Sequence, residues 1–334
     1  MGGFAKFGND LYTGDRSINF VGRRNLWYII AAVMILASIL IPIARGGFVL
    51  GIEFRGGSQF QITNVASLSE DRAAAETLAS DTVESVVAEA TPRITVVGGD
   101  GLRVQTTQLT TDESNEVRDA LQAAFEVSVD DVNASFIGPS WGADITASAL
   151  RALVVFVILA GIVMALYFRT WKMAAAAMVS LLHDLVITAG IYGILGIEVT
   201  PSAVIGLLTI LGYSLYDTVV VFDKVRENTS EDGPDSRRTF AQSVNLAVNQ
   251  TLVRSINTAV VAVLPVGAIL FIGANLLGAG TLLDIALSLF IGIIVATYST
   301  IFVAAPLYSQ MRENEPAIKK KTDRIEASAL EMAY

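Results

Sequence analysis

Six long apolar runs dominate the pattern of hydrophobic and polar positions along the chain. Each is close to the ~20 residues that an α-helix needs to cross ~30 Å of hydrocarbon. The runs predict six transmembrane helices, at 26–43, 148–168, 174–195, 200–222, 255–277 and 281–308. Basic residues precede the first run and no small-residue cleavage site follows it, so we expect it to remain as an uncleaved anchor.

The basic residues of the short connecting loops predict the orientation of these helices, because cytoplasmic loops are enriched in Lys and Arg. Arg169 and Lys172 follow the second run, and several more basic residues follow the fourth. The loops after the third and fifth runs contain no Lys or Arg. We therefore expect cytoplasmic segments at 1–25, 223–254 and 309–334, and an extracytoplasmic segment at 44–147.

The segment 44–147 shows the pattern of a folded α+β domain. Period-two alternation predicts a strand at 58–63, further strands are predicted at 93–97, 102–106 and 132–137, and helices are predicted at 69–90 and from Thr111 onward. A turn at 98–101 joins the second and third strands. The order βαββαβ is that of a ferredoxin-like sandwich. This domain also carries half of the acidic side chains, 16 of 32, of a chain whose net charge is −9.

Composition excludes several classes of protein. The chain of 334 residues is 53% hydrophobic and 16% charged, whereas soluble domains carry about 25% charged residues. It has no cysteine and one histidine, so disulfides, thiol nucleophiles and multi-histidine zinc sites are ruled out and no metal or cofactor is expected. The negative charge argues against nucleic acid as a partner. No P-loop, dinucleotide-binding loop or pair of catalytic carboxylates is present, and we do not expect an enzyme.

The most informative residue inside a predicted span is Asp217, because an ionised carboxylate in the bilayer centre costs about 2.5–3.5 kcal/mol. Gly206, Ile210, Tyr213 and Asp217 share one helical face, with small residues that allow another helix to approach closely. The carboxylate should therefore point into a packed bundle. It either takes part in function, which we favour, or is a buried, paired group that only fixes helix register.

Other polar residues of the spans have structural alternatives. Arg254, Asn257 and Thr258 form a stripe at the start of the fifth predicted helix, where an Arg can also extend to lipid headgroups. His183 and Asp184 are adjacent and point about 100° apart, so they cannot both face one partner squarely. They form either a proton relay or a register-fixing pair. Asp284 lies in the predicted first turn of the sixth helix, where the helix dipole favours an acid, and we interpret it as mainly structural.

Five motifs in order give the chain a resemblance to the SecF family. They lie at 51–57, 137–140, 212–228, 254–258 and 297–306, and the resemblance covers 16–310. The signature residues within them include Gly56, Gly57, Gly138, Pro139, Gly212, Tyr213 and Ser214. The chain departs modestly from the family pattern: Glu53 stands where Asp is usual, and Ala296 and Thr300 replace Gly and Ser.

The resemblance implies a half-transporter of the resistance-nodulation-division superfamily in the bacterial plasma membrane. Its partners would be SecD, the Sec translocon channel and unfolded preproteins, and its coupling ion would be the proton. By position, Asp217 matches the proton-carrying aspartate of the family and Arg254 its coupling arginine. The function implied is use of the proton motive force in late protein export. A passive translocon scaffold and a proton-driven exporter of lipids or small molecules remain alternatives.

Overall fold

The structure is a computed structural model that describes residues 3–69, 71–97, 100–231, 238–273 and 280–331. Some expectations from the sequence lie outside the described residues. They concern turn residues Gly98 and Gly99, Arg237 in the loop before the fifth span, and the greater part of the loop between the fifth and sixth spans.

The described residues contain six helices long and apolar enough to cross a membrane, as the hydropathy pattern predicts, and the chain is a multi-pass membrane protein. In chain order the helices are α1 (Gly3–Thr13), α2 (Arg24–Ala44), α3 (Ile52–Arg55), α4 (Arg72–Val86), α5 (Thr111–Phe125), α6 (Pro139–Phe168), α7 (Trp171–Leu195), α8 (Pro201–Glu231), α9 (Phe240–Ala268), α10 (Gly280–Ser299), α11 (Ala305–Glu313) and α12 (Pro316–Glu331). The spans are α2 and α6–α10. Helix α9 continues as the π-helical segment Ile269–Gly273, and α10 leads through the π-helical segment Thr300–Ala304 into α11.

Helix α9 begins much earlier than the apolar run in the sequence. A capping box at its N-terminus joins Thr239 and Gln242, and its first turns bury Val244 and Val248 in a core cluster beside α1 and α8. The expectation that Arg254 lies at the start of this helix is therefore wrong. Helix α9 extends toward its N-terminus through turns that are polar but partly buried, so Arg254 lies in the middle of the helix.

Between α2 and α6 the chain forms a four-stranded antiparallel sheet with two long helices. The strands are β1 (Gly57–Ile62), β2 (Arg93–Val97), β3 (Gly101–Thr106) and β4 (Val132–Ile137), in the spatial order β2-β3-β1-β4. Each strand begins and ends within one residue of the position that alternation predicts. Helix α5 starts with a capping box between Thr110 and Glu113, the kind of start that Thr and acids in the first turn predict.

Alternation along β1 and β3 separates the two faces of this sheet. One face carries Phe60, Ile62, Leu102 and Val104, which form the core with α4 and α5. The opposite face carries polar side chains, among them Gln59 and its cross-strand partner Gln105. The polar face contacts the transmembrane bundle, because Gln105 donates a hydrogen bond of 2.7 Å to Glu198 in the connection between α7 and α8.

Candidate functional site

Helices α8 and α10 approach each other closely at two glycines. A Cβ atom on Gly206 would collide with the Ser288 hydroxyl, and one on Gly292 would lie 2.5 Å from the Ile210 side chain. The expectation that small residues on the Gly206–Asp217 face admit another helix is thus confirmed. Asp217 lies two turns beyond Ile210 on that face, which directs its carboxylate into the bundle.

The carboxylate of Asp217 is buried and has one direct hydrogen bond. The residue is 3% exposed, and its Oδ1 atom accepts a hydrogen bond of 2.9 Å from Ser255 on α9. Its Oδ2 atom is buried and has no hydrogen-bond partner among the described residues, although the Thr300 side chain lies next to the carboxylate. Buried carboxylate oxygens are normally satisfied, so an unpartnered one marks a position at which a proton or a donor from a moving group can bind.

The neighbouring turn of α8 contacts an irregular part of the sixth span. The hydroxyl oxygens of Thr218 and Thr300 are 3.1 Å apart, and both residues are buried. Thr300 opens the π-helical segment that separates α10 from α11. Such segments are rare in helices and frequently occur at functional sites. Asp217 therefore lies where α8, α9 and the irregular turn after α10 meet.

Arg254 precedes Ser255 on α9, close enough to Asp217 to act on it electrostatically. The Arg254 side chain is exposed, and no ion pair within 4 Å is found for it among the described residues. The rest of the predicted stripe contributes little here, because Asn257 is exposed and Thr258 donates its hydroxyl to the Arg254 carbonyl of the same helix. The structure thus brings Asp217 and Arg254 into one neighbourhood without a direct contact.

His183 and Asp184 of α7 form a second buried polar group, which contacts α8 one turn before Asp217. The His183 Nδ1 atom lies 3.1 Å from Asp184 Oδ1, and Asp184 Oδ2 accepts a hydrogen bond of 2.5 Å from Ser214. These adjacent side chains contact each other, and Asp184 is the one that hydrogen-bonds to α8. The His183 ring also stacks on Tyr298, with centroids 6.0 Å apart. Ser214 and Asp217 are three residues apart, so α8 presents two polar layers on one face.

Residues 116–314 match the family described as protein export membrane protein SecD/SecF, C-terminal. The chain belongs to the SecD/SecF protein-export family. It is 44% identical over 326 residues to the protein translocase subunit SecF of Streptomyces coelicolor, which covers 97% of this chain and 85% of that protein. The SecF subunit of Mycobacterium tuberculosis is 40% identical over 334 residues, which is 97% of this chain and 73% of that protein.

A solved structure in the SecD/SecF family shares the fold. The crystal structure of SecDF, a translocon-associated membrane protein from Thermus thermophilus, matches with a TM-score of 0.76 at 28% sequence identity. The match covers 90% of this chain and 39% of the SecDF chain, so the present chain spans well under half of that polypeptide.

The glycine signatures of the SecD/SecF resemblance have different structural roles. Gly56 and Gly57 adopt positive φ angles of 77° and 143°, and a Cβ on Gly57 would lie 2.5 Å from the Thr106 carbonyl oxygen. Gly138 caps α6, with Pro139 in its first turn, where the missing amide proton costs nothing. Gly212 has no neighbour that a Cβ would meet, and the hydroxyl of Tyr213 is buried without a partner.

Two residues that contact the Asp217 region of this SecD/SecF-family chain have little physical signal of their own in the sequence. Ser255 and Thr300 lie within the motifs at 254–258 and 297–306, but Ser and Thr are common in apolar helices and no spacing predicts their position beside Asp217. Asp284 is the fifth residue of α10, and its carboxylate accepts a hydrogen bond of 2.8 Å from Thr200. That bond joins α10 to the start of α8. In the described residues no group of three or more His, Cys, Asp or Glu side chains is arranged to hold a metal.

Proposed function

We propose that this chain is an accessory subunit of the Sec translocon that works with a SecD half and uses the proton motive force to promote late steps of protein export. The observation that carries the proposal is the half-satisfied carboxylate of Asp217, buried between three helices and within electrostatic range of Arg254. Family membership supports the export role, since the curated relatives are named protein translocase subunits.

The SecD half is proposed as the partner that covers the exposed polar side of α9. Arg254 and Asn257 are exposed on this side of α9. The most apolar stretch of the same span contains no buried residue. An Arg facing hydrocarbon costs about 2.5–3.5 kcal/mol, so contact with a second protein surface stabilises this helix. The Thermus thermophilus relative carries SecD and SecF in one polypeptide, which supports this assignment.

The mechanism proposed is reversible protonation of Asp217 linked to the position of Arg254. Approach of the guanidinium stabilises the ionised carboxylate, and its withdrawal favours the protonated one. One charge crossing 100 mV yields about 2.3 kcal/mol, and about 5.5 kcal/mol moves a two-state population from 1:99 to 99:1. Two protons supply about 4.6 kcal/mol, so roughly two to three protons per stroke are sufficient. The output is movement of the domain between α2 and α6 relative to its SecD counterpart.

We further propose that this domain is a ferredoxin-like sandwich outside the plasma membrane and that both termini are cytoplasmic. The strand order β2-β3-β1-β4 and the loop charges support this. Because the chain has no cysteine, single cysteines can be introduced cleanly. At Ser67 and Asn275 they should react with an impermeant reagent in sealed cells, and at Ser230 only after lysis. Labelling at position 230 in sealed cells would exclude this orientation.

The function is tested by export of a precursor in cells that depend on the variant chain. Asp217→Asn should lower export to the level without the subunit while membrane insertion and copurification with SecD persist. Asp223→Asn is the matched control, because Asp223 lies on the same helix and accepts a hydrogen bond from Tyr167 near the surface. Normal export by Asp217→Asn would favour the passive scaffold. Normal protein export together with altered lipid or drug efflux would favour the exporter.

A further inference from the structure

The connection between α7 and α8 reaches the sheet of the α+β domain through the side chain of Glu198. The Oε1 atom of Glu198 accepts a hydrogen bond of 2.7 Å from Gln105 of β3. Its Oε2 atom lies 3.5 Å from Nη1 of Arg103, two residues earlier on the same strand. Arg103 and Gln105 lie on the same face of the sheet, because side chains alternate along a strand. Both carboxylate oxygens of Glu198 are therefore engaged by β3.

This contact is largely enclosed. The side chains of Arg103 and Glu198 are 14% and 12% exposed, and Gln105 is 2% exposed. Charges that are shielded from water interact more strongly and are screened less by salt than charges at the surface. The contact therefore differs from a solvated surface ion pair, which contributes little to holding two parts of a protein together.

On the side of the bundle, the same connection is attached to two membrane helices. Thr200 follows Glu198 by two residues, and its hydroxyl oxygen accepts a hydrogen bond of 3.1 Å from the Ala203 amide in the first turn of α8. The same hydroxyl donates a hydrogen bond of 2.8 Å to Asp284 of α10. A movement of the start of α8 therefore moves Glu198 with it.

Backbone hydrogen bonds hold this connection independently of the Glu198 side chain. The Gly51 amide donates to the Val199 carbonyl at 2.9 Å, and the Val199 amide donates to the Val49 carbonyl at 2.7 Å. These bonds attach the connection to the chain that follows α2. A substitution at Glu198 thus removes the contact with β3 and leaves this backbone arrangement in place.

Several polar atoms around Glu198 are not satisfied. The Nε atom of Arg103, Oε1 of Gln105 and Oε2 of Glu53 are buried and have no hydrogen-bond partner among the described residues. Glu53 belongs to the same group of charges, since Asp284 interacts electrostatically with Arg103, Glu198 and Glu53 alike. Buried polar atoms are normally paired. A spare donor and two spare acceptors let this contact be remade with other partners when domain and bundle shift against each other.

We propose that Glu198 is a positioning residue that transmits movement of α8, the helix carrying Asp217, to β3 and so to the α+β domain. The covalent links of the domain run through α2 and α6, so a shift of α8 relative to α6 reaches the sheet only through a non-covalent contact. The enclosed contact of Glu198 with β3 supplies one. For the origin of the movement we rely on the proposed function, the protonation of Asp217.

The link is tested with spin labels on cysteines at Ala73, exposed on α4, and Ile205, 57% exposed on α8, in the full-length protein. Glu198→Ala should make the distance distribution broader or longer than in the parent protein. The double variant Glu198→Arg with Arg103→Glu should restore the narrow distribution. It reverses the ion pair and keeps the summed charge, and the spare Oε1 of Gln105 can accept a hydrogen bond from the new guanidinium.

The role in transmission is tested with the same variants and the SecD partner in vesicles, with an imposed pH gradient. Glu198→Ala should dissipate the gradient as the parent protein does, while export of a precursor falls several-fold. The double variant should recover most of the export. A merely structural role predicts instead that proton movement and export fall together and that charge reversal restores neither. The control Glu116→Gln removes an exposed carboxylate of α5 and should match the parent protein in every measurement.

Export by Glu198→Ala at the parent rate would overturn the proposal. So would loss of proton movement together with export in this variant, or a double variant that exports no better than Glu198→Ala. A parent protein that moves no protons during export would contradict the proposed function instead. The spin labels and the export rates would still decide whether Glu198 links α8 to the domain.

Discussion

The hydroxyl of Ser255 donates a hydrogen bond of 2.9 Å to Oδ1 of Asp217 and so joins α9 to α8 inside the membrane bundle. Both residues are almost fully buried. The bond leaves Oδ2 of the carboxylate without a partner among the described residues. It also holds the turn of α9 that carries Arg254 beside Asp217. A change in the position of α9 therefore acts directly on the Asp217 carboxylate, which we propose to carry the proton.

Replacing Ser255 by alanine should impair coupling without unfolding the protein. The substitution removes one hydrogen bond to the carboxylate, and such a bond to a charged group is worth about 1.5–3 kcal/mol. Export stimulated by the proton motive force should fall several-fold, while the amount of protein in the membrane stays the same. Thr258→Ala is the control, because Thr258 bonds only to the backbone of its own helix. Equal export by the two variants would argue against a role for Ser255.

Arg254→Lys tests whether the guanidinium itself is needed. Lysine keeps the positive charge but loses the planar fork that binds a carboxylate with two parallel hydrogen bonds. Pairing with Asp217 during the cycle predicts clearly impaired export, whereas an Arg that only extends to headgroups predicts nearly normal export. Export rates at a fixed imposed potential distinguish the two. Normal rates in Arg254→Lys would remove Arg254 from the coupling step.

The pair of His183 and Asp184 should contribute to stability through Ser214. Asp184→Ala leaves buried hydrogen-bonding groups on Ser214 and His183 without this partner, which costs about 1–3 kcal/mol. We expect a lower thermal unfolding temperature in detergent for Asp184→Ala than for the control Asp223→Ala. Asp184→Asn can still accept the Ser214 bond, so it should retain stability and export. Loss of export in a stable Asp184→Asn protein would instead indicate a proton relay.

The segment 51–138, expressed alone, should be soluble and should show mixed helix and strand by circular dichroism, because its core is formed within the segment.

Hydrogen bonds from the backbone and side chain of Thr110 lower the pKa of Glu113, and bonds from Ser128 and Asn64 lower that of Asp131. Carboxylates with lowered pKa values stabilise the fold above their unfolded pKa, and that contribution is lost as pH falls.

Denaturant unfolding of this segment at neutral and acid pH measures the effect. Stability should decline below about pH 4. Glu113→Gln keeps the capping geometry without titrating, so its decline should be shallower than that of the exposed control Glu116→Gln. An unfolded spectrum at neutral pH would show that the domain depends on the bundle or on SecD.

Long apolar runs and strict alternation predict the six spans and the four strands because burial imposes a period that the sequence must follow. Periodicity does not predict the start of α9, because its first turns are stabilised by a capping box and by packing against α1. It does not predict contacts between helices either. The contacts of Ser214 with Asp184 and of Ser255 with Asp217 depend on how whole helices are rotated.

Proton movement in vesicles shows whether Asp217 carries the coupling proton. The chain and its SecD partner are reconstituted, a pH gradient is imposed, and the internal pH is followed while a precursor is exported. The parent protein and Asp223→Asn should dissipate the gradient, whereas Asp217→Asn should preserve it as vesicles without the complex do. Dissipation by Asp217→Asn at the rate of the parent protein would exclude Asp217 as the proton carrier.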